Sequence, residues 1–455
     1  MWKYIVGLVV LGGAVGGATA WIMAGRAPGP SLEFTGPEAI GRIGELALVI
    51  ESPGGELKSL VVTLEQGDSS FPVFDLNSAA GGSLDQIDTD RLVLRANIGR
   101  DRFDDLREGD AVLKASAVRP VLFGYREAAG EAESTIDVRL RPPIVNVQSS
   151  FHYINHGGSE MVVYRVSPQP ETTFVRVGDV EYPGFPAAGA GVEGADDSLF
   201  VAFFALSWNQ DRNTDIRVFA IDELGNEGSG SFDKRIFNRD FRNSTINISD
   251  SFLSNVVPSI LQNTPEFQVD DPTDLVASYV SINRDMRIEN DTFIRSLAEQ
   301  TAPEILWDGP FKQLINTAVQ SNFADSREYV YNGEVIDHQT HLGYDLASTA
   351  AAPVTSANAG RIVHAGWLGI YGNCVIVDHG MGLQSLYAHL SSIDVRVGDD
   401  VDMEQQLGRS GATGLAGGDH LHFTILLNGE AVDPVDWWSS QWVEDRIMRK
   451  LREAG

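Results

Sequence analysis

Hydrophobic and polar residues alternate along most of this chain, and the period of the alternation changes three times. Tyr4 to Gly25 is a run of 22 residues without a charge, preceded by Lys3 and followed by Arg26. That length of apolar sequence spans a bilayer as a helix. After a Pro/Gly linker, Ala27 to Pro30, the period becomes two. Leu60, Val62 and Leu64, and later Ile136, Val138 and Leu140, alternate with more polar neighbours, the pattern of half-buried strands. Ser52-Pro-Gly-Gly55 and Glu108-Gly-Asp110 punctuate the runs as turns. Pro142-Pro143 breaks the chain, and a second such region ends in the strand Ile216 to Ala220 and the turn Asp222 to Asn226. From about Ser249 the period is helical: Leu275, Tyr279, Ile282 and Met286 recur on one face after Asp274, a capping residue. From Ser326 short β runs alternate with glycine turns.

The pattern predicts a mainly β multidomain chain. Residues 1–30 form a membrane anchor or signal segment with its linker. Residues 31–142 and 143–246 form two β-sandwich modules, and 247–325 a helical connector. Residues 326–440 form an antiparallel β domain and 441–455 a C-terminal amphipathic helix.

Composition narrows the function classes. The chain has 455 residues, 43% hydrophobic, and a net charge of −29. Such acidity excludes the basic footprint that nucleic acid requires and disfavours adsorption to anionic lipid. The single cysteine, Cys374, lies in the apolar run Asn373 to Val377 and reads as a buried thiol. Lys3 and the amino terminus orient the acidic bulk outside the cytoplasm. The expectation is a single-pass protein of the cell inner membrane with most of its length in the periplasm. Ala18-Thr-Ala20 resembles a cleavage site, so secretion after signal cleavage is the alternative. Gly12, Gly13, Gly16 and Gly17 form Gly-x-x-x-Gly pairs through which two such helices can dimerise.

Seven of nine histidines fall between His338 and His422. They include three clusters: His341-Leu-Gly-Tyr-Asp345, Leu386-Tyr-Ala-His389 and His420-Leu-His422. On extended backbone, even spacing puts His341 and Asp345 on one face, and His420 and His422 on one face. Catalytic zinc takes about three protein ligands and keeps a position for water. His341 and Asp345 supply two, one of the His420/His422 pair the third, and the other reaches the water, with His389 approaching from another strand. His338 reads as a loop residue or an outer contact, His364 and His379 as structural, and His152 and His156 as surface residues of the second β module.

The stretch from Val218 to Gly228 resembles the penultimate strand and turn of bacterial immunoglobulin-like domains, which bears on fold alone. A longer resemblance covers Tyr329 to Trp437. His341 to Asp345, Tyr371-Gly-Asn373, Val375 to Gly380, Leu386 to Leu390, Gly411 to Gly414 and His420 to Phe423 are similar, in order, to the catalytic domain of the lysostaphin-type (LytM-like) zinc endopeptidases. The resemblance implies His341, Asp345 and His422 as ligands of one zinc per chain, and His389 and His420 as catalytic groups. It implies Asn373 as a substrate contact and the peptides of bacterial peptidoglycan as substrate. The chain departs from the family at Leu415 to Asp419, where many relatives carry a Ser-Thr-Gly-Pro-like run; in the family that loop lines the groove and does not touch the ligands, so the resemblance does not fix substrate preference. Two functions follow as expectations: a zinc endopeptidase of the cell wall, or a non-catalytic scaffold or activator of other wall hydrolases.

Overall fold

The computed structural model describes residues 2–78 and 81–455. The chain divides into two compact units. The first runs to Pro142 and includes Ile221–Glu227; the second comprises Pro143–Ala220 and Gly228–Gly455. As the alternation predicts, the protein is mostly β.

The first unit begins with helix α1, Trp2–Ala24, which has no buried residue. Apolar side chains all round a helix suit hydrocarbon and not water. It is the one helix among the described residues long and apolar enough to cross a membrane. Behind it two sheets enclose one core. Glu45–Glu51 buries every second residue, as does Ser59–Gln66. Leu46, Leu48 and Ile50 of one sheet thus meet Leu60, Val62 and Leu64 of the other. Each such side chain contributes about 1.5–3 kcal/mol on burial.

The second sheet contains a long hairpin, Gly109–Val121 paired with Arg126–Val138. The Gly124 N–H donates to the Val121 carbonyl, and Leu122 and Phe123 both hold positive φ, 51° and 58°. This is a tight hairpin turn whose central positions usually carry Asn or Gly. Leu and Phe there cost about 1–2 kcal/mol each. The linker beside the hairpin touches it backbone to backbone. A Cβ on Gly29 would lie 1.8 Å from the Ala129 carbonyl oxygen, and one on Gly130 1.9 Å from that of Pro30. Only glycine permits that approach.

In the second unit, sheets from residues 144–237 and from 318–432 share one hydrophobic cluster. Trp437 joins them. It is fully buried, its rings pack on Phe203, Trp307 and Phe311, and its indole N–H donates to Ser159 Oγ. The chain ends in α5 (Pro434–Trp438), α6 (Ser440–Val443) and α7 (Arg449–Ala454). Lys450 Nζ lies 2.8 Å from Glu160 Oε1, with the two side chains 2% and 0% exposed.

Helix α2, Asp250–Asn263, starts on the Ser249 cap, and α3, Leu275–Ser281, on Asp274, whose carboxylate accepts from Val276 and Ala277 N–H. A π turn at Ile282–Met286 continues α3 into α4, Arg287–Ala298. Tyr279, Ile282 and Met286 are buried by these turns. Residues 299–317 carry neither helix nor strand, and Ala318–Ser321 is a strand. Asn243–Ile248 pairs in parallel with Asp325–Tyr331, which pairs antiparallel with Glu334–His341.

The histidines outside the clusters are placed by the same pairings. His152 is not a surface residue as its His-x-x-x-His-Gly-Gly context suggests; it is 1% exposed. Its strand pairs in parallel with Lys234–Phe237, some 80 residues away, and its ring packs on Phe232. His379 is buried between the Ala359 carbonyl and Ser385. Burial pushes its pKa down to about 4, so it stays neutral. His338 is exposed on a strand.

Candidate metal centre

An eight-stranded antiparallel sheet brings the distant clusters together. Tyr344–Ala347 pairs with Leu421–Leu427, with Asp345 directly opposite His422. Leu383–Leu390 lies on the other side of Leu421–Leu427, with Ala388 opposite His422 and His389 next to it. His341 ends its own strand just before the turn into Tyr344–Ala347. Gly343 lies in that turn, where a Cβ would sit 2.6 Å from the His422 ring. The glycine therefore makes room for the imidazole.

His341 Nε2, Asp345 Oδ1 and His422 Nδ1 converge. They stand 2.9 Å (His341–Asp345), 2.9 Å (His341–His422) and 3.1 Å (His422–Asp345) apart. Tetrahedral ligands about 2.0–2.1 Å from zinc lie about 3.3 Å from one another, close to this triangle. The hydrogen bonds behind the ligands fix which atoms carry protons. A carbonyl only accepts, so His341 donates from Nδ1 to Asn322 O at 3.1 Å and its Nε2 is a bare lone pair. Thr424 donates its hydroxyl to Leu342 O, so its oxygen accepts from His422 Nε2, and His422 Nδ1 is bare. Two lone pairs and a carboxylate oxygen thus point at one place with no proton among them. That donor set fits a divalent cation, and borderline-soft zinc suits two imidazoles and a carboxylate.

Electrostatics agree with the tautomers. Burial lowers His422 to about 4, keeping it neutral as a ligand must be. Burial alone would raise the Asp345 carboxyl. Its contacts with His341, His420 and His422 outweigh burial and hold Asp345 well below the usual carboxylate range. Its other oxygen, Oδ2, accepts from Arg327 at 3.2 Å; Arg327 also donates to Ser321 and Asp325.

Arg327 and Thr424 are the groups that motif spacing missed. Arg327 lies outside every histidine cluster, and its one signal was the alternation Asp325-x-Arg327-x-Tyr329, which puts a charge on an inward face. We expect Arg327→Ala to weaken metal affinity about 10–100-fold by freeing the Asp345 carboxylate to rotate. Competition against a chromogenic chelator measures this; unchanged affinity would show that Asp345 holds its orientation unaided.

His389 and His420 stand beside the triangle, their rings 4.9 Å apart, with His420 Nε2 3.5 Å from Asp345 Oδ1. Each donates from Nδ1 to a carbonyl, Thr413 for His389 and Gly418 for His420, both at 2.8 Å. Both therefore turn Nε2 toward the centre. His389 holds φ at +62°, a strained conformation of the kind that clusters at functional sites. Burial, then the neighbouring histidines, push His389 well below its usual pKa. Burial also opposes the charge on His420, but Asp345 outweighs it and raises His420. The divergent loop Leu415 to Asp419 carries the Gly418 carbonyl and is pinned by Asp419, which accepts from Ser410 and Ala351 N–H.

These residues face a cleft of about 1130 Å³, walled on one side by Ser251, Phe252, Asn255 and Ser259 of α2. The helical segment thus forms part of the cleft. Asn373 is placed elsewhere: its amide donates to the Leu390 carbonyl, and its N–H donates to Thr413 Oγ1. Its side chain is committed to holding the end of the His389 strand.

A family model described as Peptidase family M23 matches residues 339–434. The DD-carboxypeptidase/endopeptidase Mpg of Neisseria meningitidis serogroup B is 39% identical over 95 residues, 21% of this chain and 22% of the relative. The peptidoglycan DD-endopeptidase ShyB of Vibrio cholerae serotype O1 is 32% identical over 115 residues, 25% of this chain and 26% of the relative. The chain thus matches only about a quarter or less of the length of these relatives. A solved structure titled as a putative peptidase M23 from Pseudomonas aeruginosa covers 63% of this chain and 95% of its own, at 19% identity and a TM-score of 0.37.

Proposed function

We propose, because residues 339–434 match the family model described as Peptidase family M23, that the chain is a zinc endopeptidase cutting peptide crosslinks or stem peptides of bacterial peptidoglycan. The observation that carries this reading is the convergence of His341 Nε2, Asp345 Oδ1 and His422 Nδ1 with no proton among them. One zinc per chain held there would supply Lewis acidity that makes water nucleophilic near neutral pH and polarises a carbonyl.

The remaining work falls to the chain's own groups. His420 is the nearer of the flanking histidines to Asp345, and its Nε2 takes the proton from the attacking water. His389, neutral with its proton on Nδ1, offers Nε2 as a second acceptor for the water, and the proton that His420 takes passes to the leaving amine. The cleft between α2 and the Leu415–Asp419 loop binds the peptide. The relative named a peptidoglycan DD-endopeptidase is 32% identical over 115 residues, which supports the substrate class.

On this reading helix α1, long and apolar enough to cross a membrane, is a single-pass anchor in the cell inner membrane, with the remainder in the periplasm. A Cβ at Gly12, Gly13, Gly16 or Gly17 would meet nothing within 4 Å, so this face is open to a second anchor helix.

The test is digestion of purified sacculi by the full chain in detergent, with muropeptides read by mass spectrometry. New crosslink-cleaved products, lost with chelator and regained with zinc, are expected. No products in the presence of zinc would favour a scaffold or activator role instead.

A further inference from the structure

The tip of the long hairpin in the first unit carries the segment Val121-Leu-Phe-Gly-Tyr125, which has no charge and lies between Arg119 and Arg126. Phe123 is 98% exposed and Tyr125 78%. Large apolar side chains this open to water, on a turn held in a strained conformation, call for a partner.

The contacts of the linker say where the tip points. Pro30 and Gly29 touch Gly130 and Ala129. One step further toward the amino terminus, the Pro28 carbonyl accepts from Arg119 at 2.9 Å. Further still, the Trp21 carbonyl accepts from Arg126 at 2.8 Å, and the Arg126 guanidinium lies 4.8 Å from the Trp21 ring centre. Climbing from residue 30 into the helix therefore follows the hairpin from residue 130 toward its tip. Trp21 meets the Arg126 side chain, and the tip residues Leu122 to Tyr125 lie beyond Arg126 along the hairpin.

We propose that this hairpin tip inserts into the interface of the bilayer that α1 spans, with Phe123 and Tyr125 as the inserted side chains. The proposal rests on the reading of α1 as a membrane span. Aromatic side chains favour the membrane–water boundary, and arginines flanking an apolar tip suit the headgroup level while their stems lie along the apolar surface. Trp21 sits at the same level of the helix, so helix and tip form one aromatic belt. The first module is thereby held to the membrane at two points and loses its freedom to swivel about the linker.

The experiment uses the full chain reconstituted in vesicles of phosphatidylethanolamine and phosphatidylglycerol. An environment-sensitive fluorophore is placed on Tyr125→Cys, on Thr19→Cys within the helix, or on Asp68→Cys. Asp68 sits in the turn next to Gln66, which bonds to Arg107 and Gly109 at the far end of the hairpin. Cys374 is buried with its thiol pushed toward the protonated form by burial, so it takes no label. Lipids carrying a nitroxide high on the acyl chain are expected to quench the label at 125 at least two-fold and to leave that at 68 unchanged. Quenching at 19 without quenching at 125 would overturn the proposal while leaving the anchor in place. Absence of quenching at 19 would overturn the anchor itself. As a second variant, Phe123→Ser carrying the 125 label is expected to reduce the quenching; equal quenching would remove Phe123 from the inserted pair.

Discussion

A His422→Ala chain is expected to lose stoichiometric zinc and at least about 10³-fold in kcat/KM, roughly 4 kcal/mol of transition-state stabilisation. Two ligands remain, and the Gly343 side of the site opens to water. The fold is expected to survive, because the substitution removes one of the lone pairs crowded within 2.9–3.1 Å and so relieves repulsion in the metal-free protein. His341→Ala and Asp345→Asn are expected to behave alike. His389→Ala and His420→Ala separate the roles: they keep the metal and lose about 10²–10⁴-fold in rate, the usual effect of removing a proton-transfer group. Metal content by elemental analysis and single-turnover hydrolysis, with thermal melting as a check on folding, read out all five. A His422→Ala chain that retains zinc and more than a tenth of the rate would disprove the ligand assignment.

The second large effect is on stability. Lys450→Met is expected to destabilise the second unit by about 3–5 kcal/mol, the cost of leaving a buried charge without its partner. Lys450 donates to Glu160 Oε1 and to the Met161 carbonyl; Glu160 accepts only from Met161 and Tyr153 N–H besides. Burial raises the Glu160 carboxyl and lowers the Lys450 ammonium, and each is drawn back by the other's charge. Without Lys450 the Glu160 carboxylate must take a proton or draw in water. Pairing the change with Glu160→Gln should recover much of the loss, because the remaining groups are then neutral. Urea denaturation of the two single variants and the double variant gives the coupling directly. A cost under about 1 kcal/mol for Lys450→Met would show that the pair is solvated in solution.

The site was legible in the sequence to the extent that its chemistry is local. His341 and Asp345 are joined by one short turn, and His420 immediately precedes the strand of His422, so each pair is brought together by local backbone. The groups that tune them are not local. Arg327 reaches Asp345 from a different strand, and the carbonyls of Asn322, Thr413 and Gly418 leave no trace in residue type. The same limit applies to the fold. Strands that alternate in burial announced themselves, as in Glu45–Glu51. The parallel pairing of Asn243–Ile248 with Asp325–Tyr331 did not, because its partner lies some 80 residues on and no turn joins the two. His152 was misplaced for that reason. The Gly157-Gly158 pair after His156 suggests a loop, while the burial of His152 comes from a strand it meets only in three dimensions.

The bond from Trp437 to Ser159 and the common core around it bear on how this protein changes over generations. A recombination event that exchanged only the segment after residue 325 would deliver the candidate metal centre without the surface on which Trp437 and Lys450 rest. Ser159, Glu160 and Phe203 therefore support the candidate metal centre, though none of them lines the cleft. The second β module and the sheet that carries the candidate metal centre share one core.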